Sequence, residues 1–388
     1  MRARIKKLFP LPACLLLVSL FAAGCRKPGL ATTPASAAAP RAKTTFVYLA
    51  ALQPLIRIRD SPPAWDTSPA LIFAFVPDAI TGRLGALAYF PIPTAIEADF
   101  IAHDPSNRFD YLADMAEDSI YAYAVNPRNG RLRAIPLSPF AAGREPAALA
   151  FTPNGKFLYV AYQALNAVGA YSVDSTTGAL TPVPGSPFPT TGTKIYGCCV
   201  AVTPDGRYLV AGDQYSIYSY RIDPGTGALT LVSSLPAPVG MESLAIAPKG
   251  RYAYAAGSGP QALSTYSIAP HSGKLTLHAA TPLDPNDSAG DLVLAPSGRF
   301  AYTSQNAGVV LYRLHSGKFS APLASWRTPA TIHLAIDPSG KFLFAAQGGT
   351  YNSLYVWLID APTGRLRPVP DSPYPIYGSQ PTIMVTAW

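Results

Sequence analysis

Asp337 to Leu366 reads DPSGKFLFAAQGGTYNSLYVWLIDAPTGRL. A tight turn at Pro338-Ser339-Gly340 leads into an aromatic-rich apolar run. A short polar loop follows, then a second apolar run that ends at a Thr363-Gly364 turn. Turn residues bracketing short runs of β-branched and aromatic side chains predict an antiparallel meander. A single unit of this kind cannot bury its own faces, so it needs neighbours like itself.

The chain supplies them. The Pro-x-Gly turn returns at Pro153, Pro204, Pro248 and Pro296, and in the variant Pro105-Ser106-Asn107, where Asn also tolerates a left-handed backbone. With Pro338 these six turns lie 48, 51, 44, 48 and 42 residues apart. The second turn gives an independent series: Gly82, Gly130, Gly178, Gly227, Gly273, Gly317 and Gly364, at intervals of 48, 48, 49, 46, 44 and 47. Each full unit reads as strand A before the Pro turn, B after it, C before the Gly turn and D beyond. The first unit has B, C and D but no A, whereas the chain ends on an apolar segment, Ile383 to Trp388, with no turn after it. That orphan predicts a ring closed by a C-terminal strand, which leaves no open sheet edge. The predicted fold is all-β: a seven-bladed β-propeller of four-stranded antiparallel blades over residues 45–388.

Strand direction assigns the faces. If A runs from face one to face two, the B–C loops and D–A connections lie on face one, and both turn series lie on face two. Blade one carries a long B–C insertion, ALQPLIRIRDSPPAWDTSPA, from Ala51 to Ala70, which places Arg57, Arg59, Trp65 and Asp66 on face one. Loops of that length in compact domains tend to carry function. Tyr and Phe dominate the B strands (Phe157/Tyr159, Phe300/Tyr302, Phe342/Phe344) and are expected between blades. Asp110 breaks that series, where other blades hold Leu158, Leu209, Ala253, Ala301 and Leu343. It reads either as a buried acid with a partner or as the mark of a looser blade.

Residues 1–24 read as a secretory leader, with Arg2, Arg4, Lys6 and Lys7 ahead of an apolar run from Leu8 to Ala23 that proline interrupts. The following residues, 25–44, form an Ala/Pro/Thr-rich tether. Phe21-Ala22-Ala23-Gly24-Cys25 resembles the lipobox of bacterial lipoproteins. The resemblance implies cleavage before Cys25, its lipidation, and a place in the cell envelope, with Arg26 pointing to the outer membrane. An ordinary cleaved signal peptide with a free Cys25 is the alternative. Eight basic residues and no acid fall in residues 1–43, which leaves 22 Lys/Arg against 22 Asp/Glu for the propeller. The basic balance of the whole chain therefore gives no support for nucleic-acid binding.

Chemistry is sparse. There is no Cys-x-x-Cys-His, His-Glu-x-x-His, Walker loop or Gly-x-Ser-x-Gly, and no cofactor or metal site is expected. The Asp284–Asp291 loop has oxygen donors in a spacing that misses the EF-hand register. Adjacent Cys198 and Cys199 are read first as two small buried residues, because strand neighbours point to opposite faces. A vicinal disulfide and a soft-metal site are the other readings.

The segments PDGRYL, PSGKFLF, YSVDSTTGALTPVPGSPF and IDAPTGRLRPVPDSPY resemble the repeat of the lactonase-type seven-bladed propellers, the family of bacterial 6-phosphogluconolactonase and fungal carboxymuconate cyclase. The resemblance covers residues 45–388. It implies working groups on face one: a Gly-Cys-His-Ser motif entering blade four, a Gly-Pro-Arg-His motif entering blade five, an Asn-Glu pair after strand B of that blade, and a further Arg entering blade six. Here those places hold Gly197-Cys198-Cys199-Val200, Gly240-Met241-Glu242-Ser243, Gly257-Ser258 and Asp287. The His, the Arg pair and the Glu are absent there, which argues against the inherited reaction. Face one instead offers Arg57, Arg59, Arg144, Glu145, Glu242, Asp287, Asp291, Arg327 and His333. The resulting expectation is a lipid-anchored binding or scaffold module that takes a small polar ligand or an envelope protein on face one. The alternative is a lactone or sugar-acid hydrolase with a rearranged site, in which His333 or Glu242 is the base.

Overall fold

The computed structural model describes residues 45–52, 71–87, 92–93, 98–191, 199–237, 240–258, 262–284, 287–306, 308–328, 331–347, 353–376 and 379–387, with the backbone alone for 51–52, 92–93, 98–99, 331–332 and 379–387. Their strands form seven antiparallel sheets in which strands adjacent in sequence lie side by side, with one exception. The exception is the closure. Ser379–Ala387 runs antiparallel to Thr45–Leu52, pairing Thr386 with Phe46, Met384 with Tyr48 and Thr382 with Ala50. The last strand is therefore strand A of blade one, as the unequal turn counts predict. Trp388, the insertion carrying Arg57, Arg59, Trp65 and Asp66, the lipobox with Cys25, the tether, and Cys198 lie outside the described residues.

Burial explains why the sheets stand as blades. Strands B at Phe109–Asp114, Phe157–Tyr162, Phe300–Gln305 and Phe342–Gln347 are buried at every position. Each has its two faces against two neighbouring blades, so burial does not alternate along it. Buried clusters fill the spaces between adjacent blades, including the one that joins Phe342 and Phe344 of blade seven to Val47 and Leu49 of blade one. Ring and core thus close together, within the compact unit Lys43–Trp388.

The two turn series have one physical cause each. The C–D turn glycine has a positive φ and lies against the first aromatic of strand B in the preceding blade. At Gly178 φ is +78°, and an added Cβ would sit 2.6 Å from Phe109 Cδ1. Two residues beyond that ring, Tyr111 Oη donates to the Gly178 carbonyl at 2.7 Å. The same bond joins Tyr48 to Gly130, Tyr159 to Gly227 and Tyr302 to Gly364. Only glycine satisfies both the backbone angle and the approach. The A–B turns stack in the same manner on the proline of the blade before, as with Gly340 on Pro296.

One expectation needs correcting in detail, and one open alternative is decided. The fourth strand is continuous only in blades four and five, Leu229–Pro236 and Leu275–Thr281. In blades two, three and seven it breaks at a Ser-Pro step with a cis peptide bond. The serine hydroxyl takes over as acceptor for the strand C amide: Ser138 for Ala122, Ser186 for Ala170, Ser372 for Val356, at 2.8, 2.9 and 2.9 Å. Asp110 is the buried acid with a partner. It is 1 % exposed and bonded to Nδ1 of His103, its register partner across strands A and B. Burial raises its pKa, against the lowering effect of His103.

Candidate functional site

Strand A of each blade lines the axis and starts on face one. In blades two, three, five, six and seven the A–B register slips at that start. A bulge turns a side chain away from the regular alternation and re-aims it. Glu242 is the extra residue between the paired Met241 and Ser243. Gly290 and Asp291 occupy the gap between the paired Ala289 and Leu292. His333 is the first residue paired after the slip in blade seven. These departures converge on one concavity of about 500 Å³, whose lining includes Gln163, Cys199, Glu242, Ser243, Asp291 and His333.

Asp291 ties three blades together. Its Oδ1 accepts from the Ser243 hydroxyl of blade five at 2.9 Å and from the Leu292 amide at 2.8 Å. Its Oδ2 accepts from the Leu334 amide of blade seven at 2.7 Å and lies 3.8 Å from His333 Nδ1. Its own amide donates to Ser304 Oγ at 2.7 Å. Burial alone would raise the Asp291 carboxyl. His333, the Leu334 amide and the Ser243 hydroxyl outweigh it and hold the group below the usual carboxylate range. Glu242 has no such partners, and burial raises its carboxyl although it opens onto the cavity water. A Cβ at Gly290 would stand 3.7 Å from Glu242 Oε2, so the two carboxyls share the blade five–blade six boundary. An acid held low beside an imidazole, with a second acid raised on the same cavity wall, is a set that can move protons.

The other predicted residues lie elsewhere. Arg144 and Arg327 are exposed and do not line the cavity. Glu145 has a φ of +53° and braces the blade two–blade three connection, its amide donating to Asp118 at 2.8 Å. Asp287 accepts from the amides of Ser288 and Asn306, both at 3.0 Å, and so pins one loop to another. Cys199 lines the cavity and is disulfide-bonded. The first reading of two free, small buried cysteines is thus corrected, and its bonding partner lies outside the described residues. Gly257, at the place of the family's acid, abuts the Gly240 carbonyl too closely for any side chain. Ser243 and Ser304, which orient Asp291, carried no signal in the sequence, because a serine within a strand is commonplace.

The family model "Lactonase, 7-bladed beta-propeller" matches residues 91–194 and 199–385. No curated protein matches the chain. Among solved structures, a protein from Lactobacillus plantarum superposes with a TM-score of 0.70 at 17 % identity, covering 88 % of this chain and 99 % of that one. A candidate 6-phosphogluconolactonase of Bacteroides uniformis gives 0.69 at 18 %, covering 89 % and 100 %. The periplasmic gluconolactonase of Pseudomonas aeruginosa gives 0.69 at 19 %, covering 88 % and 99 %. At these identities the structural likeness speaks for the fold, and it agrees with the family model. The chain belongs to the seven-bladed β-propeller lactonase family.

Proposed function

We propose that the face-one cavity opens the ring of an uncharged sugar lactone by adding water. One observation carries the reading: Asp291 lies 3.8 Å from His333 Nδ1 at the wall of a concavity that also holds a second carboxyl of raised pKa. With its Nδ1–H turned to Asp291, neutral His333 keeps the Nε2 lone pair free to take a proton from water. The resulting hydroxide adds to the lactone carbonyl, and the ring C–O bond breaks as the tetrahedral adduct collapses. Glu242, protonated more readily than an ordinary carboxyl, gives its proton to the departing alkoxide. The product is a hydroxy acid, with the water proton on His333 and the acid proton on the new hydroxyl. Asp291 steadies the imidazolium formed on the way.

Substrate charge follows from the lining. Among the described residues no Lys or Arg faces the cavity. The Asp291 carboxylate would repel a phosphate there with no such cation to offset it, whereas a neutral polyhydroxy ring finds hydrogen-bonding groups. The printed name of the Pseudomonas structure, a gluconolactonase, is in keeping with this choice. The test is a pH-stat assay of glucono-lactone beside its 6-phosphate. Turnover of the neutral lactone with little of the phosphate supports the reading; preference for the phosphate refutes it.

Binding without turnover is the second reading. It is favoured by the 3.8 Å His333–Asp291 separation, longer than a hydrogen bond. Stabilisation by sugar acids without hydrolysis would select it. The proposal retains envelope attachment through Cys25, which mass spectrometry of the mature N-terminus would check.

A further inference from the structure

We propose that face two is a docking surface for a bilayer rich in anionic phospholipid. The inference rests on the charges of face two and not on the lactone reading. The propeller is formally neutral, but its charge is divided between its faces. Of the nineteen Lys and Arg among the described residues, only Arg144 and Arg327 lie on face one, against ten Asp and Glu that include Glu117, Asp213, Glu242 and Asp291. The other seventeen cations occupy the turns and strand ends toward face two. Nine acids accompany them, but Asp104, Asp110 and Asp337 are buried.

Blades four and five carry five of these cations, Arg207, Arg221, Lys249, Arg251 and Lys274. Arg221, Lys249, Arg251 and Lys274 are exposed there and form no ion pair among the described residues. Three of them border two hollows of about 380 and 410 Å³ that share Arg207, with Arg221 in one and Lys249 and Arg251 in the other. The local acids are already engaged. Asp205 pairs with Arg207 at 2.8 Å, and Asp223 accepts from the Gly225 and Thr226 amides of its own turn at 3.0 and 2.7 Å.

Exposed cations on the turns and strand ends of all seven blades suit an extended anionic surface better than a single polysaccharide chain. Chain entry agrees. Thr45 begins strand B of blade one at its face-two end. The polypeptide therefore enters the described domain from its cationic side. Cations held near an anionic leaflet add their attractions, and salt weakens them. Docking through face two leaves the face-one cavity open to the aqueous side.

The test uses the chain from Lys43 to Trp388, which keeps every described strand and closes its own ring. It is co-sedimented at low ionic strength with vesicles of equimolar phosphatidylglycerol and phosphatidylcholine, and with phosphatidylcholine alone. The expected result is binding to the anionic vesicles only, falling as salt is raised. The R221E/K249E/R251E/K274E variant should bind at least about tenfold more weakly, with an unchanged melting temperature. Reversing Arg144 and Arg327 to Glu on face one should leave binding as it is. Equal binding to both vesicles, or an unaffected quadruple variant, overturns the proposal. So does capture of a soluble anionic polysaccharide without vesicle binding. If the quadruple variant unfolds, the salt titration of the unaltered chain decides, and binding insensitive to salt overturns the proposal.

Discussion

Asp291→Asn probes the keystone of the cavity with the smallest change of shape. The carboxylate faces donors on both oxygens, Ser243 and Leu292 on one and Leu334 on the other. An asparagine can present its carbonyl to one side only, so its NH2 meets a donor whichever way it turns. A partly buried donor left facing a donor costs about 1–3 kcal/mol, and loss of charge assistance at the remaining bonds adds about 1 kcal/mol. The expected loss is therefore about 2–4 kcal/mol, a large share of a net stability near 5–15 kcal/mol. Urea denaturation measures it, read as a shift in midpoint at constant slope. The pH dependence has a definite sign. Folding depresses the Asp291 pKa, so its contribution is whole above the unfolded value near 3.9 and fades as pH falls through the lower folded value. The gap between native chain and variant should be widest near neutrality and shrink on acidification. Equal stability at pH 7, or a gap that does not change with pH, would refute the role given to Asp291.

Further outcomes can be checked alongside. Gly178→Ala forces a Cβ into a left-handed residue against the Phe109 ring and should cost about 2–4 kcal/mol, whereas Gly225→Ala, at a turn position with no positive φ and no atom nearer than 3.4 Å, should cost little; melting temperatures separate them. Tyr302→Phe removes one inter-blade bond to the Gly364 carbonyl and should cost about 1 kcal/mol in the same assay. At the His103–Asp110 register other blades pair Phe151 with Leu158 and Ile336 with Leu343, so the double variant His103→Ile/Asp110→Leu should be neutral or stabilising by about 1–4 kcal/mol, while Asp110→Leu alone should destabilise. Folding raises the Glu242 pKa, so ionising it opposes folding as pH passes its unfolded value. Glu242→Gln should accordingly be no less stable than the native chain near pH 7, with any difference vanishing in acid, as thermal melts across pH would register.

The architecture was legible because its punctuation has hard causes. Gly178 must be glycine for two independent reasons, a left-handed φ and a ring at van der Waals range, so the turn series survives wherever the blade does. Six Pro turns against seven Gly turns then require a strand from the far end of the chain, and Ser379–Ala387 is that strand. The site was legible only as a face. Glu242, Asp291 and His333 could be placed on face one from strand polarity, but their convergence depends on bulges that no local pattern announces. Asp110 stood out as a charge among apolar equivalents, yet His103, seven residues away across a turn, did not, because a lone histidine at a strand end is unremarkable. Net charge hid the division between the faces, since a sum carries no geometry. Cys199 misled for a related reason: nothing in composition reports a disulfide.

Whether face one is an active site is tested most directly by kcat/KM for glucono-lactone in the native chain and in His333→Gln, measured with melting temperatures to confirm folding. A base that takes the water proton is worth about 10²–10⁴ in rate. The predicted result is turnover by the native chain and a loss of that size in the variant, carried by kcat, with both proteins melting alike. Equal rates in the two proteins, or no turnover in either, would contradict it.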